Sequence, residues 1–157
     1  MLNNRTSLPL SLAASAFQAG FAALDTTLGD TEQQSLLRYY HDTFVPALPS
    51  NIDDRSVDTY LPHTNAGARL QLDYIVNNPN PAGKRSLLET RSESVVAGNA
   101  VDPYDAAHRA YHGTFVRLMN ETQLYDLFLI DATTGNVIYT VQKEPDFGTT
   151  AAILGVL

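Results

Sequence analysis

The sequence contains no cysteine and no tryptophan. Without a thiol there is no disulfide framework, thiolate zinc site, iron–sulfur cluster or cysteine nucleophile. Charge is scarce, at 17% of 157 positions, where globular chains average roughly 25%. Positive charge is scarcer still, with ten Lys and Arg against seventeen Asp and Glu and a net charge of −7. Such a surface repels phosphate backbones and anionic headgroups, which argues against nucleic-acid binding and polybasic membrane anchoring. No apolar run reaches the roughly 18 residues of a membrane helix; Leu8 to Leu28 is broken by Ser11, Ser15, Gln18 and Asp25. Phosphate loops (G-x-x-x-x-G-K, G-x-G-x-x-G) and the G-x-S-x-G nucleophile elbow are absent from the sequence.

What is present is an ordinary apolar content of 44% in a chain of one domain's length, enough to remove roughly 70% of the unfolded surface from water. Arg5 ahead of an apolar segment and Ala14-Ser15-Ala16 resemble a signal peptide. Phe17, Phe21, Leu24 and Leu28, however, step by four, three and four, the seam of an amphipathic helix. Gly29 is expected to close this helix, and Thr31 with Gln34 to cap the next. Leu36, Leu37, Tyr40 and Phe44 form the second apolar face, ended by Pro46 and Pro49, so the two helices are expected to pair as a hairpin.

Ser50 to His63 reads as a loop with one helical turn over Val57 to Leu61, and a further helix runs from Thr64 to Asn77. Asn78-Pro79-Asn80-Pro81-Ala82-Gly83 is a turn, and Lys84 to Gly98 a loop with one helix-like pair, Leu87 and Leu88. Asp102-Pro103 opens a well-marked helix with the stripe Tyr104, Ala107, Tyr111, Phe115 and Leu118. At Leu124 the period becomes alternating: Leu124–Asp131 and Asn136–Lys143 flank a turn at Ala132-Thr133-Thr134-Gly135, an antiparallel hairpin. Ala151 to Leu157 suits a third short strand or an apolar tail.

The candidate chemistry is thin. His108 and His112, four apart on one helix face, suit a metal, with His41 or His63 as a further ligand. The glutamate of a zinc-protease helix is replaced by Arg109, a cation that opposes a dipositive ion and is no general base. The alternative is that both histidines border the core. Asp126 and Asp131 point to opposite faces of their strand and form no acid/base pair there; Asp131 is a turn former. Asp126 shares a face with Phe128 and Ile130, so it needs a solvent rim, a cation or a ligand beside it. Lys143 and Glu144 are expected in solvent, with a cleft as the alternative. Asn120-Glu121-Thr122 matches a glycosylation pattern at a helix end and is taken as chance.

A longer pattern binds these pieces together. Tyr39-Tyr40-His41 to Phe44-x-Pro46, Tyr60-Leu61-Pro62, Leu70-Gln71 to Tyr74-Ile75, Asn77-x-Pro79-x-Pro81 and Lys84 form its first half. His108-x-x-Tyr111-His112, Tyr125 to Asp131, and Gly135 to Thr149 with Lys143-Glu144-x-Asp146-Phe147-Gly148 form its second. In this order the residues resemble bacterial extracytoplasmic Cache-like or PAS-like sensor modules, which precede the signalling parts of chemotaxis receptors, histidine kinases and nucleotide cyclases. The resemblance spans about residues 17 to 149. It implies a helical N-terminal region leading into a sheet that holds a small ligand, and a periplasmic location. Such modules carry a membrane helix ahead of the first helix and a further helix and strands after the equivalent of Thr149, so the chain is expected to be the front part of a sensor or a truncated relative.

The expected architecture is therefore α+β, one domain over 1–157, with a helical part (8–78) and a helix-plus-hairpin part (102–157). About four helices should pack on a small antiparallel sheet, with self-association through the first helix or a sheet edge. The expected role is non-enzymatic sensing of a small molecule without cofactor or metal, with Tyr125, Asp126, Tyr139, Lys143, His108 and His112 as candidate ligand contacts. The alternatives are a metal-dependent hydrolase on His108 and His112 and a helical interaction domain without ligand.

Overall fold

A computed structural model describes residues 8–24, 26–90 and 102–151. Helices α1 (Leu8–Ala23), α2 (Asp30–Tyr39), α3 (Val45–Ala47), α4 (Val57–Tyr60), α5 (Asn65–Gln71) and α6 (Pro103–Thr122) precede strands β1 (Phe128–Ile130) and β2 (Val137–Thr140). Two π-helical stretches, Tyr40–Phe44 and Leu72–Val76, extend α2 and α5, and Arg85–Leu87 forms a 3-10 turn. The expected α+β class is what the chain adopts, with one two-stranded antiparallel sheet among the described residues. No helix among them is long and apolar enough to cross a membrane.

Helix α6 forms as its sequence dictates. The Asp102 carboxylate accepts from Asp105 N at 2.8 Å, Pro103 occupies the first turn, and Gln123 ends the helix at φ 57°. Tyr104, Ala107 and Phe115 are buried on its inner face, together with His108, His112 and Met119. Phe17 of α1 is fully buried there, with ring centroids 5.4 Å from Tyr104 and 4.5 Å from Tyr139. Burial of one such side chain is worth about 1.5–3 kcal/mol.

The expected pairing of α1 with α2 gives way to another arrangement. Helix α1 packs chiefly on α6, whereas α2 packs on the 72–76 stretch. Gly29 does not close α1, which ends at Ala23; it stands at φ −67° as the N-cap of α2, its N–H donating to Glu32 Oε2 at 2.9 Å. Glu32 in turn takes a bidentate pair from Arg69 (2.7 and 3.0 Å), which fastens α2 to α5. A second apolar cluster of Leu28, Leu36, Tyr40, Leu48, Tyr60 and Leu72 fills the space between these elements. Leu37, expected on that face, is 45% exposed. Pro46 lies within α3, and the chain leaves the helix at Leu48 (ψ 141°), ahead of Pro49.

The hairpin is shorter than the alternating pattern predicts. Phe128 pairs with Thr140 and Leu129 with Tyr139, and a bulge falls between Leu129 and Ile130. Gly135 takes the expected positive φ, at 73°. The other edge of β2 is partly covered, since Val137 N donates to Thr149 O (2.8 Å), Gly148 N donates to Val137 O (2.9 Å), and Asn136 bridges Thr150. Most of the expected third strand, 152–157, and of the loop over 91–98 lie outside the described residues.

Candidate functional site

Asp126 ends the hairpin ladder and does not await a ligand. Its Oδ1 accepts from the N–H groups of Leu127 (2.6 Å), Val141 (2.9 Å) and Gln142 (3.1 Å), and its Oδ2 accepts from Thr140 Oγ1 at 2.9 Å. The neighbour its position requires is the hairpin's own backbone. Asp131 is the expected turn former, accepting from Thr133 N and Thr134 N.

Four of the other candidates lie together inside the protein. His108 and His112 stack at 4.2 Å on the buried face of α6. His112 Nε2–H donates to Ser86 O at 2.7 Å, which leaves Nδ1 to accept from Tyr139 OH at 2.7 Å. Both nitrogens are thereby used and none remains for a metal. His108 Nδ1–H donates to Glu89 O at 2.8 Å. Burial, and then the charge of Lys143, hold both imidazoles neutral, His108 well below the usual range and His112 at about 4. Among the described residues no group of His, Asp and Glu is arranged to hold a metal ion.

Lys143, expected in solvent, is fully buried. Its φ of 58° turns the chain inward at the end of β2. There Nζ–H donates to Thr140 O at 2.6 Å and lies over the rings of Tyr139 (4.6 Å), Phe147 (5.6 Å) and Tyr74 (5.9 Å). Burial lowers the ammonium to about 7, with the Asp126 charge opposing. The alternating pattern carried no signal for this turn, because a non-glycine residue at positive φ is uncommon.

The open concavity lies elsewhere, and of the six candidates only Tyr125 reaches it. A groove of about 720 Å³ runs between the α2–α3 segment and the residues that flank the hairpin. Tyr39, Phe44, Leu48 and Pro49 form one wall, and Tyr125, Phe128 and the Glu144–Asp146 loop form the other, with Arg85 in the lining as well. The π-helical stretch places both Tyr40 and Phe44 inward. Tyr40 OH donates to Gln71 Oε1 at 2.6 Å, and Gln71 Nε2 donates to Pro145 O (2.8 Å) and Phe147 O (2.9 Å). That buried relay fixes the loop after β2, Glu144 to Phe147, against the helices as the base of that wall.

Two groove side chains carry unspent hydrogen-bonding capacity. Arg85 donates to Lys143 O (3.2 Å) and to Tyr39 OH (3.0 Å), while its Nε is buried without a partner. Asp146 is 5% exposed, and its Oδ1 is buried without a partner. Burial first, then the nearby charges of Asp126 and Glu144, raise its carboxyl to about 7, against a smaller opposing pull from the N–H groups of Phe147 and Asp146. At the rim Tyr125 OH donates to Glu144 Oε1 at 2.6 Å, a bond that raises the phenol to about 12. Sequence reasoning missed Tyr39, Phe44, Phe128, Arg85 and Asp146 as groove residues; the Asn-Pro turn that brings Arg85 beside Tyr39 was the one local hint.

No protein-family model, curated protein or solved structure matches the chain.

Proposed function

We propose that this chain is a non-enzymatic small-molecule-sensing module of bacterial signal transduction, with the groove between the α2–α3 segment and the hairpin as its binding site. The observation that carries the reading is the pairing, in one groove of about 720 Å³, of aromatic walls with two buried side chains, Arg85 and Asp146, that each keep one polar atom without a partner. Ligand sites are concavities of roughly 300–1,000 Å³ with apolar walls and a few fixed polar groups. A hydrolase on His108 and His112 draws no support from the geometry, since His112 has no free lone pair and both rings are buried.

The groove has one wall on helices and one on the hairpin side, so an occupant that touches both favours one helix–sheet spacing over others. That is the physical form of a sensor readout, a ligand shifting an equilibrium between two packings. The π-helical stretch in the helical wall adds to the argument, because such stretches recur at functional sites. The periplasmic location and the link to a downstream signalling part belong to the same proposal and rest on the sequence resemblance.

A thermal-shift screen of amino acids, organic acids and other small metabolites tests the reading, since a ligand of the folded state raises the midpoint. Ala47 lines the groove on its exposed side, and Ala47→Trp fills it. The expected result is a compound class that stabilises the wild type and not the variant. No stabiliser at all, or one equally effective on Ala47→Trp, overturns the proposal.

A further inference from the structure

The proposal that follows rests on the groove reading above and names the chemical class of its occupant. At the hairpin end of the groove the lining is acidic: Glu144 and Asp146 both face it, and Asp126 stands close enough to disfavour ionisation of Asp146. Among the described residues Arg85 is the one cation in the lining, and it is already engaged, with one terminal nitrogen on Lys143 O, the other on Tyr39 OH, and its Cζ 5.6 Å from the Tyr39 ring centroid. No salt bridge joins Arg85 to either carboxylate. Lys143, although next to Glu144 in sequence, turns into the core and lends nothing to the groove.

We infer that the groove takes a small organic cation, a primary ammonium compound whose positive group pairs with Asp146, the side chain turning to bring its solvent-closed Oδ1 into the groove, and whose apolar part lies against Phe44 and Phe128. Three features select this class. An N–H of an ammonium group completes the buried Asp146 oxygen that has no donor, as a charge-assisted bond of the strong kind, and its charge favours the carboxylate over the protonated form that burial promotes. The aromatic faces of Tyr39, Phe44, Tyr125 and Phe128 attract a cation by their quadrupoles and shelter an apolar body in the same contact. An anion of equal size meets carboxylates at that end and leaves Oδ1 unpaired. Arg85 Nε supplies one further donor, suited to a hydroxyl or carbonyl oxygen on the same ligand.

The test uses three probes of one shape: 2-phenylethylammonium, 3-phenylpropanoate and 2-phenylethanol, titrated into the isotope-labelled full chain and followed by amide chemical shifts. The expected result is saturable binding of the ammonium compound that moves the amides of Tyr39, Glu144 and Asp146, at least about tenfold tighter than the alcohol, with no binding of the carboxylate. Asp146→Asn is expected to weaken the ammonium compound about tenfold and to leave the alcohol unchanged; Asp146→Glu, which keeps the charge, recovers part of the affinity. Binding of the carboxylate or the alcohol in the groove with equal or greater affinity overturns the cation assignment and leaves the groove reading standing. Shifts confined to residues outside the groove, or none for any probe, overturn the cation assignment, and the metabolite screen with Ala47→Trp then decides the groove reading independently. Should Asp146→Asn fail to fold, competition between the three probes on the wild type decides the question alone.

Discussion

Gly67 of α5 and Gly148 of the loop after β2 meet backbone to backbone, so that a Cβ on Gly148 would lie 2.8 Å from both Gly67 Cα and Gly67 O. Gly148 also takes φ 80°, which disfavours any side chain. This contact lets Gln71, one turn further along α5, reach Pro145 O and Phe147 O and hold the loop that walls the groove. Gly67→Ala pushes a methyl into the Gly148 carbonyl and must separate the two elements. The expected loss is about 2–4 kcal/mol in urea denaturation. Gly113→Ala, mid-helix with open space around it, is the control and should stabilise by about 0.5–1 kcal/mol. Equal effects of the two variants would contradict the close-contact account.

Asp126 holds the hairpin by accepting three backbone N–H groups and one hydroxyl. Asp126→Ala leaves those donors without their carboxylate, and the expected cost is about 3 kcal/mol, from charge-assisted bonds worth roughly 1.5–3 kcal/mol each that do not add fully. Hydrogen exchange should rise at the Val141 and Gln142 amides before it rises in α6. A loss under about 1 kcal/mol, with both amides still protected, would mean that the clip is not what ends the ladder.

The pH dependence has a definite sign. Asp146, raised from its ordinary 3.8 to about 7, holds a proton in the folded protein that the unfolded chain has lost, so its contribution to stability falls as pH rises through that interval. His112, lowered from 6.5 to about 4, does the reverse, and its contribution is lost as pH falls through its own interval. Asp126 and Glu144 are the charged groups that act on the Asp146 carboxyl, and because its shift is upward while that of His112 is downward, the two slopes oppose each other in the wild type. Asp146→Asn removes the falling slope. Its stability should therefore gain about 1–3 kcal/mol relative to wild type on going from about pH 5 to pH 7.5, at most about 1.4 kcal/mol per pH unit. Parallel pH profiles for the two proteins would contradict the burial of an unpaired carboxyl.

Zinc addition is expected to leave the thermal midpoint unchanged. His112 spends one nitrogen on Ser86 O and takes the Tyr139 hydroxyl on the other, so coordination would cost two buried hydrogen bonds. A zinc-dependent rise that disappears in His112→Gln would reinstate the metal site.

Much of the fold was legible in the sequence because its signals are local. The Asp102-Pro103 start of α6 and the Gly135 turn depend on nearest neighbours and stand as the sequence predicts, whereas the alternation from Leu124 predicts a strand that begins only at Phe128. The partners of α1 and α2 depend on long-range packing around Phe17, and the short link between them misled. The site was less legible for a related reason. Asp126 and Lys143 stood out as polar residues on apolar strands, but a backbone clip and an inward turn at positive φ satisfy them. Arg85 and Asp146, which share the lining of a groove and not an element, carry no periodic mark at all.

The most direct measurement of the central claim is a crystal structure of the full chain with the best stabiliser from the metabolite screen. The account predicts that compound between Phe44 and Phe128, with a donor within hydrogen-bond distance of Asp146 Oδ1. Density for it at any other surface, with the groove empty and the Asp146 oxygen still unpaired, would contradict the account.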